Sequence, residues 1–306
     1  DQITAKDLRR PFIDPEDMHL ADFLLNAKIQ FGPPLRLQGI WIPAYRANEL
    51  PVTMFELPEG IGYEGLRVPE RTFANSGGGL RLDLYTSEYD AAFSYLNAYA
   101  LQPGFSAEMI LDPSSGPSFN FFQLPWRQQL FAIDAAFNAG LWSFRCEGSL
   151  MLPDTPDNGP HIPFSEIQWT LGVDRSFGAF RFLAEYNGKH IPNHKELEEP
   201  QDPLMMADHQ LAVYNRLIYR QSEMTQHQMF FRTSLSLFHD TFEIEIPFMY
   251  YFTTKEYVLL PIVSLNLADA LSLRVGAGFY RGDDNTLFDL MGGLYNGYFA
   301  EIKLVF

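Results

Sequence analysis

Along most of this chain apolar and polar residues alternate one by one. A period of two commits a segment to extended backbone, whose side chains point to opposite faces in turn. Leu80, Leu82 and Leu84 alternate with Arg81, Asp83 and Tyr85. Ile167, Trp169, Leu171 and Val173 alternate with Gln168, Thr170 and Asp174. Leu271, Leu273, Val275, Ala277 and Phe279 alternate with Ser272, Arg274 and Gly276. The pattern predicts thirteen strands, at about 22–30, 35–42, 79–87, 90–100, 128–138, 140–151, 166–176, 179–187, 227–238, 241–252, 256–267, 270–281 and 295–306.

A β-sandwich alternates too, but two features set this chain apart. Its segments run to about 9–12 residues, where strands of globular proteins are about 5–6 long. Charges recur in the middle of the polar face, while aromatics such as Trp142, Trp169, Tyr250, Tyr257 and Tyr298 collect near strand ends. A closed barrel in a membrane accounts for both. Its outer face meets lipid between aromatic girdles, and its inner face meets water.

The connections agree. Those at 31–34, 87–89, 138–140, 177–178, 239–240 and 268–269 are tight, and those at 43–78, 101–127, 152–165, 188–226 and 282–294 are long. Short turns facing long loops belong to up-and-down transmembrane barrels. The expected fold is therefore all-β, a transmembrane antiparallel up-and-down β-barrel with thirteen strands visible. Bacterial barrels have even strand numbers, so fourteen or more strands are expected in the complete protein, and 1–306 reads as a single barrel domain lacking one or more N-terminal strands. Within 188–226, Leu211, Tyr214, Leu217 and Ile218 have helical spacing, which places a helix at Ala207–Arg220 in the barrel mouth. The alternative is a further strand, which would change the parity.

Composition narrows the function. A mean hydropathy of −0.13 suits strands with only one apolar face. A net charge of −16 argues against nucleic acid as a partner, because a phosphate-binding face needs an excess of Lys and Arg. The single Cys146 excludes an internal disulfide and sits on an apolar strand face, as a buried or lipid-facing thiol would.

The last twelve residues, Tyr295 to Phe306, put Tyr298, Ala300, Ile302, Leu304 and Phe306 on one face of a strand. This resembles the closing strand of bacterial outer-membrane β-barrels. The resemblance implies an assembly signal at Tyr298 and Phe306, read by the barrel-assembly machinery during biogenesis. The opening Asp-Gln-Ile-Thr-Ala-Lys-Asp-Leu-Arg-Arg-Pro and the later Gly39-Ile40-Trp41-Ile42-Pro43 resemble a poorly characterised group of Gram-negative outer-membrane barrels, broadly porin-like and alginate-export-like. What this implies is residence in the bacterial outer membrane and no catalytic residues.

If the apolar face meets lipid, the charged face lines a lumen. Its acids are Asp83, Asp134, Glu147, Asp174, Glu185, Glu243, Glu245 and Glu301; its bases, equal in number, are Lys28, Arg36, Arg81, Arg145, Arg181, Arg232, Arg274 and Lys303. Such a face is either a polar conduit whose charges guide solutes or a lumen crosslinked by ion pairs. The net negative charge then resides in the long loops, at Glu49, Glu56, Glu59, Glu196, Glu198, Glu199, Asp283, Asp284 and others. Loop carboxylates are either simply solvated or hold divalent cations that bridge lipopolysaccharide, which with membrane lipid is an expected partner.

Enzymatic signatures do not assemble. His190 and His194 flank a Pro and lack the Glu of a helical zinc site, and Gly77-Gly78-Gly79 leads into a strand rather than a helix. No metal and no cofactor is expected. The reading is an outer-membrane porin-like channel for passive passage of a small or polymeric solute. The alternative is a structural or partner-binding barrel in an outer-membrane export or envelope complex.

Overall fold

The computed structural model describes residues 3–9, 18–51, 61–112, 116–155, 159–202, 205–268 and 270–304. Its first seven strands are β1 (Leu25–Gln30), β2 (Leu35–Ile42), β3 (Ile61–Leu66), β4 (Gly77–Tyr85), β5 (Tyr89–Tyr99), β6 (Gly104–Asp112) and β7 (Gly116–Leu124). Next come β8 (Arg127–Ala139), β9 (Trp142–Pro153), β10 (Glu166–Phe177) and β11 (Phe180–His190), then helix α1 (Met206–Ile218). The chain continues with β12 (Thr225–Leu237), β13 (Phe242–Tyr251), β14 (Glu256–Leu259), β15 (Ile262–Ala268) and β16 (Leu271–Arg281). Helix α2 (Leu287–Tyr295) and β17 (Gly297–Leu304) complete it.

One antiparallel sheet of 14 strands takes β1, β2, β4, β5 and β8 through β17 in chain order, with β14 and β15 sharing one place between β13 and β16. Pro261 causes that interruption, since it has no N–H to offer the ladder. The backbone stays tethered on both sides, by Leu260 N to Pro247 O at 3.0 Å and Ala277 N to Pro261 O at 3.1 Å. Counting the broken strand once, the places in the sheet correspond one for one to the thirteen strands read from the alternation.

The faces are sorted in the sense of a membrane barrel. On the outside, Leu80 is 57% exposed, Ile133 61%, Leu171 56% and Ile302 69%, whereas Asp83, between Leu82 and Leu84, is 2% exposed on the inside. A soluble sheet would bury its leucines and hydrate its carboxylates; this arrangement is stable only with lipid as the outer solvent. The fold is a transmembrane antiparallel up-and-down β-barrel. Cys146 is exposed, on the outer face with Phe144, Gly148 and Leu150. Tyr298 stands on the same face, 84% exposed; Phe306 lies outside the described residues.

Two-residue turns close two of the hairpins at the short end. Ala139 pairs with Trp142 and Phe177 with Phe180, and Gly140 and Gly178 have φ of +63° and +61° at the first turn position. Only glycine takes that conformation without strain, and it matches the twist of the flanking strands.

The long connections are more ordered than their sequence suggests. Segments 43–78 and 101–127, read as loops, hold a separate three-stranded sheet in which β3 runs parallel to β7 and β6 antiparallel to it. Proline and the Ser114-Ser115-Gly116 run mask the alternation there. Segment 282–294 holds most of α2, whose N-cap Thr286 accepts from Asp289 N. The final strand consequently starts at Gly297 rather than at 295.

Candidate functional site

The inner face divides into a charged half near the short turns and a neutral half near the long loops. In the charged half, lateral ion pairs step from strand to strand. Arg36 faces Asp83 in the β2–β4 register and bonds it at 2.9 Å. Arg81 holds the other oxygen of Asp83 at 2.7 Å and reaches across β5 to Asp134 at 2.7 Å and 3.0 Å. The reach is open because the residue opposite Arg81 is the small Ser94, whose hydroxyl accepts a further bond at 3.1 Å.

The belt continues around the barrel. Arg145 and Arg181 flank Asp174 at 3.8 Å and 3.4 Å, Arg232 meets Glu245 at 2.7 Å, and Arg274 meets Glu301 at 3.4 Å. Arg274 and Glu301 are directly opposed in the β16–β17 register, whereas Glu245 lies diagonal to Arg232. Lys303 stands opposite Ser272. Among the described residues Lys28, Glu147, Glu185 and Glu243 are in none of these ion pairs. The structure thus draws most of the sequence-predicted lumen charges into four separate ion-pair groups, with Lys28, Glu147, Glu185 and Glu243 outside them.

Over the neutral half, the mouth is folded inward by α1 and the turn that follows it. Arg220 adopts φ +54°, and its N–H bonds Leu217 O while Gln221 N bonds Arg216 O at 2.7 Å. That is the left-handed helix stop usually made with glycine. An arginine is held there by its side chain, which ion-pairs with Glu256 and lies over the rings of Tyr251 and Phe288 at 4.0 Å and 4.6 Å. Glu256 is fully buried, and its second oxygen accepts Phe288 N at 2.7 Å, so the same carboxylate pins α2.

Neighbouring side chains clamp the other loops. Asn215 exchanges both amide bonds with the backbone of Phe105, at 2.7 Å and 2.8 Å. Gln221 does the same with Phe164, at 2.8 Å and 3.0 Å, and donates to Glu166 at 2.7 Å. Lys189 neutralises Glu166 at 2.8 Å. The Tyr219 hydroxyl donates to His161 O at 2.8 Å, and burial pushes its pKa up. Gly104 is required at this junction: a Cβ there would lie 2.0 Å from His161 O and 2.6 Å from the Tyr219 hydroxyl.

Burial lowers the pKa of the His161 imidazole from its ordinary 6.5. The unfolded loop therefore takes up the proton first as pH falls. The mouth is expected to keep its full stability above pH 6.5 and to lose part of it between 6.5 and the lower folded value. Amide exchange in 159–165, compared between wild type and His161→Phe across that range, checks this; the variant should lack the slope.

Beneath the mouth lies a chamber of about 570 Å³. Gln38, Gln128 and Gln168 with Ser94 and Ser149 form its walls, Trp126, Tyr219 and Gln221 its roof, and Arg81, Glu147 and Glu166 complete it. A second chamber of about 220 Å³ shares Gln168 and is lined by Thr170, Asn187, Lys189, Arg220, Gln226 and Gln228. These amides, the Glu166–Lys189 pair and the Arg220–Glu256 pair are absent from the charge-based reading of the sequence. For Gln38, Gln168 and Glu166 the signal was present, since each has the parity of the polar face.

No protein-family model and no curated protein matches the sequence. Among solved structures, the chain is similar to Acinetobacter baumannii OccAB1, with a TM-score of 0.50 at 9% identity, over 91% of this chain and 66% of that one. The Ralstonia pickettii toluene transporter TbuX is aligned at 8% identity over 84% of this chain and 75% of that one, with a TM-score of 0.34. At such identities the likeness to OccAB1 is one of fold, that of the outer-membrane β-barrels, and this chain spans just under two thirds of that protein's length.

Proposed function

We propose that this protein is a porin-like channel of the bacterial outer membrane, through which a small or polymeric solute passes passively. The observation that carries the reading is a polar interior behind a lipid-facing exterior, with room for a solute directly beneath the mouth. A polar, water-accessible path through an apolar shell is the physical requirement for solute passage. Nothing in the lateral pairing of charges supplies a nucleophile or a general base, so the reading is transport rather than catalysis.

Stepwise single-channel currents are expected from the purified chain in planar bilayers. Their selectivity follows from the pairing. Arg36, Arg81, Arg145, Arg181, Arg232 and Arg274 are each engaged by carboxylates, while Glu147, Glu185 and Glu243 lie outside the ion pairs among the described residues. A salt gradient should therefore give a modest cation preference, about two-fold, that Glu147→Gln reduces. Folded protein without conductance would overturn the channel reading.

A second reading, a structural or partner-binding barrel of an envelope complex, draws on the repeated ion pairs along the wall and the clamped mouth. Co-purification of other envelope proteins with a non-conducting barrel is the result that favours it.

A further inference from the structure

We infer that the larger chamber binds a neutral, hydroxyl-rich solute of the saccharide class through side-chain amides. This rests on the channel reading and names what passes. Gln128 is 3% exposed and lines the chamber, yet its Nε2 has no hydrogen-bond partner. A buried amide N–H left unpaired costs about 1–3 kcal/mol, so folded proteins rarely keep one without a use. Gln226, 6% exposed, repeats the feature in the adjoining chamber, and Gln168 borders both spaces. Gln128 and Gln226, each with an unpartnered amide nitrogen, line cavities that share Gln168, and rotation of either side chain would turn that donor to a solute carrying several oxygen acceptors.

The surrounding groups narrow the class. Arg81 is already held by Asp83 and Asp134, and the other charged groups on the larger chamber are the carboxylates of Glu147 and Glu166. An anionic solute would find no open cation there and two like charges. An amide both donates and accepts, which suits a hydroxyl that does the same. Trp126 Nε1 is spent on Gln102 O at 3.0 Å and the Tyr219 hydroxyl on His161 O, so these rings offer the chamber carbon surface. A sugar ring presents C–H faces of that kind between its hydroxyls. A volume of about 570 Å³ lies within the range of small-molecule sites, about 300–1,000 Å³.

The test uses the full chain in planar bilayers. Maltose and maltotriose should block the ion current saturably, whereas gluconate and a polyethylene glycol of matched size should not saturate. Gln128→Leu should raise the half-blocking sugar concentration about ten-fold, the loss expected for one buried hydrogen bond. Gln226→Leu provides a second variant if Gln128→Leu does not fold. A conducting channel that treats sugar and glycol alike would overturn the saccharide assignment and leave the channel reading intact. A barrel that does not conduct would overturn the channel reading, and sugar binding is then read from fluorescence. Trp126 lines the larger chamber, whereas Trp169 borders the smaller one, so Trp126 is the reporter for the proposed site. A sugar-dependent change lost in Trp126→Phe supports the site; no change in the wild type overturns it.

Discussion

Glu256→Ala is expected to loosen the mouth while leaving the barrel wall standing. The carboxylate is fully buried and accepts from Arg220, from Thr254 and from the backbone N–H of Phe288. Removing it leaves the Arg220 guanidinium, itself 15% exposed, without its counter-charge, and leaves a buried N–H at the start of α2 without an acceptor. Breaking one side of a buried ion pair costs about 3–5 kcal/mol. Arg220 also holds a left-handed backbone conformation that is unfavourable for any residue but glycine, and its side chain is what holds it there. Without Glu256 the turn has reason to relax, and α1 with it.

The effect should be local. The loop clamps run from α1 and the turn after it to Phe105, His161 and Phe164, whereas the wall is held by the ladders between neighbouring strands. Faster amide exchange is expected in 206–221 and 287–295, with the strand amides unchanged. On the channel reading proposed above, single-channel conductance should rise about two-fold and flicker, because the turn after α1 lines the chamber at the mouth. Equal exchange rates in the mouth of variant and wild type would show that Glu256 is not its keystone.

The wall was legible because lipid imposes a rule with a short period. Each of the thirteen expected strands has its counterpart, since a residue such as Leu82 or Asp83 reports its face by parity alone. The mouth obeys no such rule. Its contacts join residues far apart in sequence: Asn215 to Phe105, Gln221 to Phe164 and Arg220 to Glu256. Nothing local distinguishes these side chains from solvated loop residues. The helical spacing of Leu211, Tyr214, Leu217 and Ile218 did announce α1, but its role as a clamp depends on where other loops fall. The strand β3 was hidden for a related reason, as it pairs with β7 across more than fifty residues, and β6 and β7 pair with each other and with β3 rather than joining the wall. Among the lumen residues, charge drew attention to Arg81 and Asp134 and away from Gln128, whose significance lies in a partner it lacks.

Asp83→Asn tests whether the charged half of the lumen is a girder, a filter or both. Asp83 is 2% exposed and carries two guanidiniums, one on each carboxylate oxygen. The amide keeps the shape but removes the charge, and one of its two ends would then present N–H to an arginine. Arg81 keeps Asp134, but Arg36 has no other carboxylate among the ion pairs of the described residues. Because Arg36 and Arg81 are 31% and 38% exposed to the interior, water takes up part of the loss, so about 1–3 kcal/mol is expected rather than the full cost of a buried pair. Asp134→Asn should cost less, since Asp134 is 35% exposed and serves Arg81 alone. The two variants should therefore separate in thermal midpoint, with Asp83→Asn the lower. They should not separate in selectivity: each removes one negative charge from the same belt, and each should shift the reversal potential toward anions by a similar amount. A large stability difference with equal selectivity shifts would identify the belt as a crosslink whose charges the solute also feels. Equal stability, or a selectivity that neither variant moves, would mean that the paired charges neither brace the wall nor reach the permeating ion.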